Sequence, residues 1–538
     1  MVSSPNPPPP NGPAPHVVVI GGGIAGLAAA DRLLTAGARV TLLEATGRLG
    51  GKLLTGEIEG APVDLGAESI LARRPEAVDL ARSVGLGARL QPPATASASV
   101  WSRGELRPMP KGHVMGVPGD ASALAGLLSP EGVARIDRER DLGPAPVGDD
   151  VAVGAYVAQR LGHEVVDRLV EPLLGGVYAG DAYRISLRAA VPQLYEALRT
   201  HDSLLGAVRA VQARAAEHPR TEPVFTGIDG GVGTLPGAVA DAVRARGGDI
   251  RTRTPVVALT RTPGGWAVRT DRETVTADAV IVASPAWSAS ALLAHESPAA
   301  SAELAAIEYA SMALVTMAFR RTDLAARLAE GGEAAAGSDS PSGGAPPAGS
   351  GFASGGGFAS GYDLPPDSSS ASGSDSASSG SGFLSGSGFL VPPVDGRTIK
   401  AATFSTRKWG WVAASAPDLF VLRTSVGRYG EEDQLQREDT DLADASLRDL
   451  GAATGLTARP VATEVTRWIG GLPQYPVGHT ARVARIRDAV AKLPGLRVCG
   501  APYDGVGIPA CVASARRAAD EIMATPTLAR GTDRDTGE

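Results

Sequence analysis

Cysteine is almost missing: Cys499 and Cys511 are the two in 538 residues, too few for a disulfide framework or a Cys-rich metal centre and too far apart for C-x-x-C chemistry. They read as small buried hydrophobes of a protein kept in a reducing compartment. A basic surplus is missing too. The 51 Lys and Arg face 58 Asp and Glu, for a formal net charge of -7, and no local Lys/Arg run compensates, so nucleic-acid binding is excluded. The apolar stretch at 17–30 is short and broken by glycines, which excludes a membrane span there. The first 15 residues, MVSSPNPPPPNGPAP, lack the charged and apolar regions of a signal peptide, and their prolines predict a disordered lead-in. A cytoplasmic protein is expected. Metal-ligand spacings and a Ser-His-Asp constellation are absent as well, so no metal is expected and no catalytic acid or base is named.

With 43% hydrophobic residues the chain can bury a large core, and its length predicts two interwoven domains. The organising stretch is HVVVIGGGIAGLAAADRLLTAGARVTLLE, from His16 to Glu44. Residues 17–20 form a β-branched run of strand type, Gly21, Gly23 and Gly26 make G-x-G-x-x-G, and 27–34 carry good helix formers. A second apolar run, 40–43, ends on Glu44, where a Rossmann unit places the acid that hydrogen-bonds an adenosine ribose. An acid there favours an unphosphorylated ribose, hence FAD or NAD over NADP. Gly21, Gly22, Gly23, Ile24, Ala25, Gly26, Glu44 and Ala45 are the candidate nucleotide ligands.

Next comes ATGRLGGKLLTGEIEGAPVDLGAES, in which Arg48, Gly50 and Gly51 form a second glycine turn and 63–69 a short strand entering another. An extended FAD needs lining along its pyrophosphate, ribityl chain and ring system, which adds Arg48, Gly51, Lys52, Gly66, Ala67, Glu68 and Ser69 as candidates. From here the chain resembles the flavin-containing amine oxidoreductase superfamily, whose members carry this R-x-G-G sequel. EPLLGGVYAGD at 171–181, GFLVP at 388–392 with TFSTRKW at 403–409, and LPQYPVGH at 472–479 resemble the porphyrinogen oxidases, of protoporphyrinogen and coproporphyrinogen type alike. Pro172 and the Gly175-Gly176 pair predict a broken helix end that turns the chain back toward the flavin domain. Taken alone, His479 reads as a cap or a structural histidine.

In the superfamily a returning strand contacts the adenine, a role that falls here on Val256 or Val257. Near the C-terminus a strand at 496–499, a glycine-rich turn at 500–509 and a helix at 510–522, begun by Pro509, present bare amides. The resemblance implies that these meet the N1/C2 edge of a flavin through Ala501, Val506, Gly507 and Ile508.

The expected fold is α/β, a Rossmann-type FAD-binding domain interwoven with an α+β substrate-binding domain. The flavin domain is assigned to 16–85, 225–290 and 479–525, and the substrate domain to 86–224, 291–330 and 389–478. Disorder is expected at 1–15, at 526–538 and in a Gly/Ser/Ala/Pro insertion at 331–388, too poor in apolar side chains to offset its ordering entropy. The resemblance implies an FAD enzyme of haem biosynthesis that takes six electrons from coproporphyrinogen III. Hydride would leave for flavin N5 three times, with O2 reduced to hydrogen peroxide. Protoporphyrinogen IX oxidation, an amine oxidase or carotenoid desaturase, and a flavin-bound sensor without turnover are the alternatives. Substrate carboxylates need cations, and Arg73, Arg74, Lys111, Arg184 and Lys408 are the candidates. Porphyrinogen and O2 are the partners, with a transient haem-pathway enzyme besides; the oligomeric state is not legible.

Overall fold

The computed structural model describes residues 14–217, 223–324 and 384–525. The expected disorder at 1–13, 331–383 and 526–538 lies outside them. Leu384 is buried and Gly388–Leu390 is a strand, so the reading of disorder as far as 388 is corrected at its end. The Phe389 and Leu390 side chains bury on the sheet and tie the segment down.

Five parallel strands form the first sheet, in the order Asp249–Arg251, Arg39–Leu43, His16–Ile20, Ala279–Val282, Leu496–Val498. Val17 and Val19 face one apolar cluster with helices Ile24–Thr35, Leu235–Ala245 and Ile508–Met523, while Val18 and Ile20 face another with helix His479–Ala491. Burial on both faces is what an unbroken β-branched run encodes.

Seven strands form the second sheet: Ala462–Pro473, Tyr309–Arg320, Leu419–Val426, Ile399–Thr403, Gly388–Leu390, Ser99–Ser102 and Glu105–Pro108. Directly paired residues share a face. Leu314 pairs with Ser425, Ser425 with Ala401, Ala401 with Leu390, and Leu390 with Val100, a row running across five strands. Alternate residues such as Val315, Phe389 and Trp101 pack in a separate core with helix Asp439–Thr454. The Leu390 and Val100 end of the row meets a helical layer built from 153–217.

The helix expected to break at Pro172 does not. Pro172 lies inside a continuous run of helix, directly after a π-helical turn, a widened turn of the kind that accommodates a missing N–H, and Gly175 and Gly176 are inside the helix, which ends at Ala179 with φ +48°. A π-helical stretch, Val166–Val170, leads into it.

The helical layer is keyed by one buried ion pair. The Arg160 guanidinium donates from Nε to Glu139 at 2.9 Å, and the same carboxylate accepts Ser203 Oγ at 2.7 Å and the Leu204 amide at 2.8 Å, capping helix Leu204–Glu217. Both side chains are within 2% of complete burial. Arg160→Met leaves Glu139 charged and short of a partner, and is expected to cost about 3 kcal/mol of stability, read by chemical denaturation.

Candidate functional site

A cleft of about 600 Å³ runs across the carboxyl edge of the five-stranded sheet to the seven-stranded one. At its first end the His16–Ile20 strand turns through Gly21 at φ +112° into helix Ile24–Thr35. A Cβ at Gly26 would sit 1.8 Å from the Gly21 carbonyl oxygen, so only glycine lets helix and turn approach this closely. At Gly23, the N-cap, a Cβ would meet nothing within 4 Å, and no side chain caps the helix. The first-turn amides therefore face open space, as an anion site requires.

Glu44 is held at the end of its strand: one oxygen accepts the Gly22 amide at 2.7 Å, the other the Thr46 amide and hydroxyl at 2.8 and 2.7 Å. Glu44, Ala45 and Val256 line the cleft here, while Val257 turns away and is 48% exposed. Arg48 donates to the Gly51 carbonyl at 2.7 Å and lies 5.5 Å from the centroid of the ring of Trp468, itself a lining residue, but does not line the cleft.

The other end is apolar, walled by Met312, Leu314, Leu472 and Val506. Ala501, Val506 and Ile508 line it, and Gly507 is the N-cap of helix Ile508–Met523, again without a side-chain cap. Gly66 and Ala67 form the facing wall. A Cβ at Gly66 would stand 2.1 Å from the Lys52 carbonyl oxygen. Among the described residues Glu44 and Lys52 are the charged side chains lining the cleft. Desolvation holds the Lys52 ammonium below the usual lysine range. Cys511 lies beside it, its thiol pushed up to about 12 by burial and hence protonated. A glycine cradle, two uncapped helix N-termini and an apolar slot with one lysine fit a dinucleotide with a diphosphate and a flat ring.

The remaining expected ligands divide. Gly22 and Gly26 shape the turn without lining the cleft, and Glu68 and Ser69 point away from it, toward Lys408. Lys408 is itself 1% exposed. Of the other proposed substrate cations, Arg184 is ion-paired to Glu308 at 2.7 Å and lies over the Tyr429 ring, and Arg74 pairs with Glu76 at 2.6 Å. Arg73 is half-buried beside it and Lys111 is exposed on a turn. Sequence reasoning missed Met312, Leu314, Trp468 and Leu472. They lie on strands of the second sheet, and nothing in their spacing reports which side chain enters the cleft. His479 is buried, stacked on Tyr475 at 4.1 Å and pushed down to about 4 by burial, hence neutral. The described residues contain no cluster of three or more metal-ligating side chains and no helix long and apolar enough to cross a membrane.

This architecture defines an FAD-binding oxidoreductase of Rossmann type. Residues 24–355 and 387–523 match the flavin containing amine oxidoreductase family. The coproporphyrinogen III oxidase of Mycobacterium tuberculosis is 35% identical over 514 residues, covering 94% of this chain and 96% of that one. That of Bacillus subtilis is 30% identical, covering 94% and 98%, and the protoporphyrinogen oxidase of Bos taurus 27%, covering 95% and 98%. A solved structure from Exiguobacterium sp. 255-15 superposes with a TM-score of 0.74 at 30% identity, covering 95% of this chain and 98% of that one. Cyclohexylamine oxidase of Brevibacterium oxydans, at 18% identity, covering 95% and 99%, and a TM-score of 0.60, shares the fold. The chain belongs to the flavin containing amine oxidoreductase family, in its porphyrinogen oxidase branch.

Two substitutions test the cleft. Gly26→Ala forces the Gly21 turn apart and is expected to yield colourless protein that takes up no FAD. Glu44→Gln keeps the shape and removes the charge; it is expected to weaken FAD binding about tenfold, or about 1.4 kcal/mol, in a fluorescence titration of apoprotein.

Proposed function

We propose that the protein oxidises coproporphyrinogen III to coproporphyrin III, with FAD as acceptor and O2 as final oxidant. The observation that carries this reading is full-length similarity: the coproporphyrinogen III oxidases of Mycobacterium tuberculosis and Bacillus subtilis align over 94% of the chain at 35% and 30% identity. In balance, coproporphyrinogen III and three O2 give coproporphyrin III and three hydrogen peroxide, three hydride equivalents and three protons leaving the macrocycle. Bound FAD supplies a two-electron acceptor for each hydride and passes the electrons to O2.

The chain's own part is placement. The apolar end of the cleft gives a flat macrocycle a dry surface beside the ring, and Leu314 continues into the row that reaches Leu390 and Val100 across the sheet. Excluding water there keeps the reacting carbon against the acceptor, and orientation of that kind is a large part of a barrier. No acidic or basic side chain lines this end except Lys52 among the described residues. That suits a substrate whose carbon is already activated by its macrocycle. Carboxylates of the substrate call for cations, for which Arg73, Arg74 and Lys111 are the candidates.

Aerobic turnover of FAD-loaded protein on coproporphyrinogen III and protoporphyrinogen IX, followed by porphyrin fluorescence and peroxide, tests the reading. At least tenfold higher kcat/KM on coproporphyrinogen III is expected. Preference for protoporphyrinogen IX would shift the assignment to that substrate, and a yellow protein inert to both would end it.

A further inference from the structure

Lys408 and Glu68, read from the sequence as a substrate cation and a cofactor ligand, meet each other instead. The Lys408 ammonium donates to Glu68 Oε1 at 2.6 Å and to Ser69 Oγ at 3.1 Å, and the second Glu68 oxygen lies 3.2 Å from the Arg423 guanidinium. All three charged side chains are buried, at 2%, 3% and 7% exposure. Arg423 also donates to the backbone carbonyls of Asp64, at 3.2 Å, and Gly66, at 2.8 Å, and Trp468 Nε1 donates to that of Leu65 at 2.9 Å.

Every one of these donors belongs to the second sheet or to the short helix Ser405–Lys408 beside it, and every acceptor to the loop at 64–69. Gly66 and Ala67 of that loop line the cleft, whose wall also includes Leu314 and Val506. Glycine and alanine cannot hold themselves in place through side chains. Backbone bonds from Ala67 to the Lys52 carbonyl at 3.2 Å and from Leu65 to that of Leu54 at 2.8 Å hold one side of the loop, and the buried charges hold the other.

We propose that Glu68 is a positioning residue for the flavin ring: clamped between Lys408 and Arg423, its carboxylate fixes Gly66 and Ala67 against the ring and so joins the ring to the sheet that floors the macrocycle. A carboxylate this buried persists as a charge only because two cations compensate it. The arrangement is therefore rigid, and a small displacement of the loop changes the ring's surroundings directly. Asp64, at the other end of the loop, is tied to the amides of Val232 and Gly233 at 2.9 Å each, anchoring that end to the flavin half.

The inference rests on the flavin site and not on the identity of the substrate, so its test uses none. The reduction potential and visible circular dichroism of purified holoprotein are compared for wild type, Glu68→Gln, Lys408→Met, Lys408→Arg and the double variant E68Q/K408M. Glu68→Gln and Lys408→Met are each expected to shift the oxidised/reduced equilibrium at least tenfold, about 30 mV for a two-electron couple, and to alter the visible dichroism. Lys408→Arg is expected to restore both, and the double variant to shift less than the sum of the singles, the mark of a coupled pair. Should Lys408→Met fail to fold, Glu68→Gln, which keeps the side-chain shape, decides. An unchanged potential and unchanged dichroism in Glu68→Gln, with only the melting temperature lowered, would reduce the pair to a structural brace and overturn the proposal.

Discussion

The structure depends on one constraint: two helix N-termini that are far apart in the sequence must open onto the same cleft without a side chain to cap either. The first belongs to helix Ile24–Thr35 and the second to helix Ile508–Met523, N-capped by Gly23 and Gly507. Each leaves first-turn amides unsatisfied, and each carries the positive end of a helix dipole. Such ends are stable beside an anion and poorly stable without one. The parallel sheet brings them together, because strands His16–Ile20 and Leu496–Val498 run in the same direction on either side of Ala279–Val282. The two helices then lie side by side on one face of that sheet, in a single apolar cluster. Cofactor and core are thus organised by the same packing, and the glycine at 26 is where the tolerance is smallest.

The second sheet has a different problem, that of meeting the first in one fixed register. Its answer is charge. Burying ions is costly unless each finds a partner and fills its remaining hydrogen bonds, and the 64–69 loop meets that condition with Glu68, Lys408, Arg423 and the carbonyls of Asp64 and Gly66. An apolar joint of the same size would tolerate sliding, whereas an ion cluster with directional hydrogen bonds has one register. Burial pushes Asp64 up to about 7, while the Val232 and Gly233 amides and Arg423 pull it back. That acid is balanced between two forms, while the more strongly compensated Glu68 is held below the usual carboxylate range against its own burial, by Arg423 and Lys408.

What the sequence made legible follows from how local the physics is. The strand at 16–20, the turn through Gly21 and the helix after it are written in consecutive residues, since β-branching, glycine and helix formers each act within a few positions. Glu44 is legible for the same reason. The short helices at 171–178 and 405–408 are not, because their residues have no strong local preference and their state is decided by what packs on them. Proline misleads in the first: the helix runs on through Pro172 by way of the π-helical turn at 166–170, a device that no local pattern in the sequence announces. Lys408 and Glu68 misled for a deeper reason. A charged residue in a family-like motif reads equally as a ligand or as half of a buried pair, and the partner is 340 residues away.

The composition of the cleft then constrains the chemistry. A reaction that needed a proton taken from a poorly activated carbon would need a base near the ring, with a pKa tuned to the task. The apolar end of the cleft instead presents Met312, Leu314, Leu472 and Val506, one lysine and a thiol that burial keeps protonated. Dry walls penalise any step that leaves a charge without a partner. Lys52 is the exception, an ammonium kept at the wall with desolvation against it. Its charge gains most from a partner that becomes negative inside the cleft. Were FAD held with its ring at this end, the lysine and the helix N-terminus at Gly507 would both favour its reduced, more negative form.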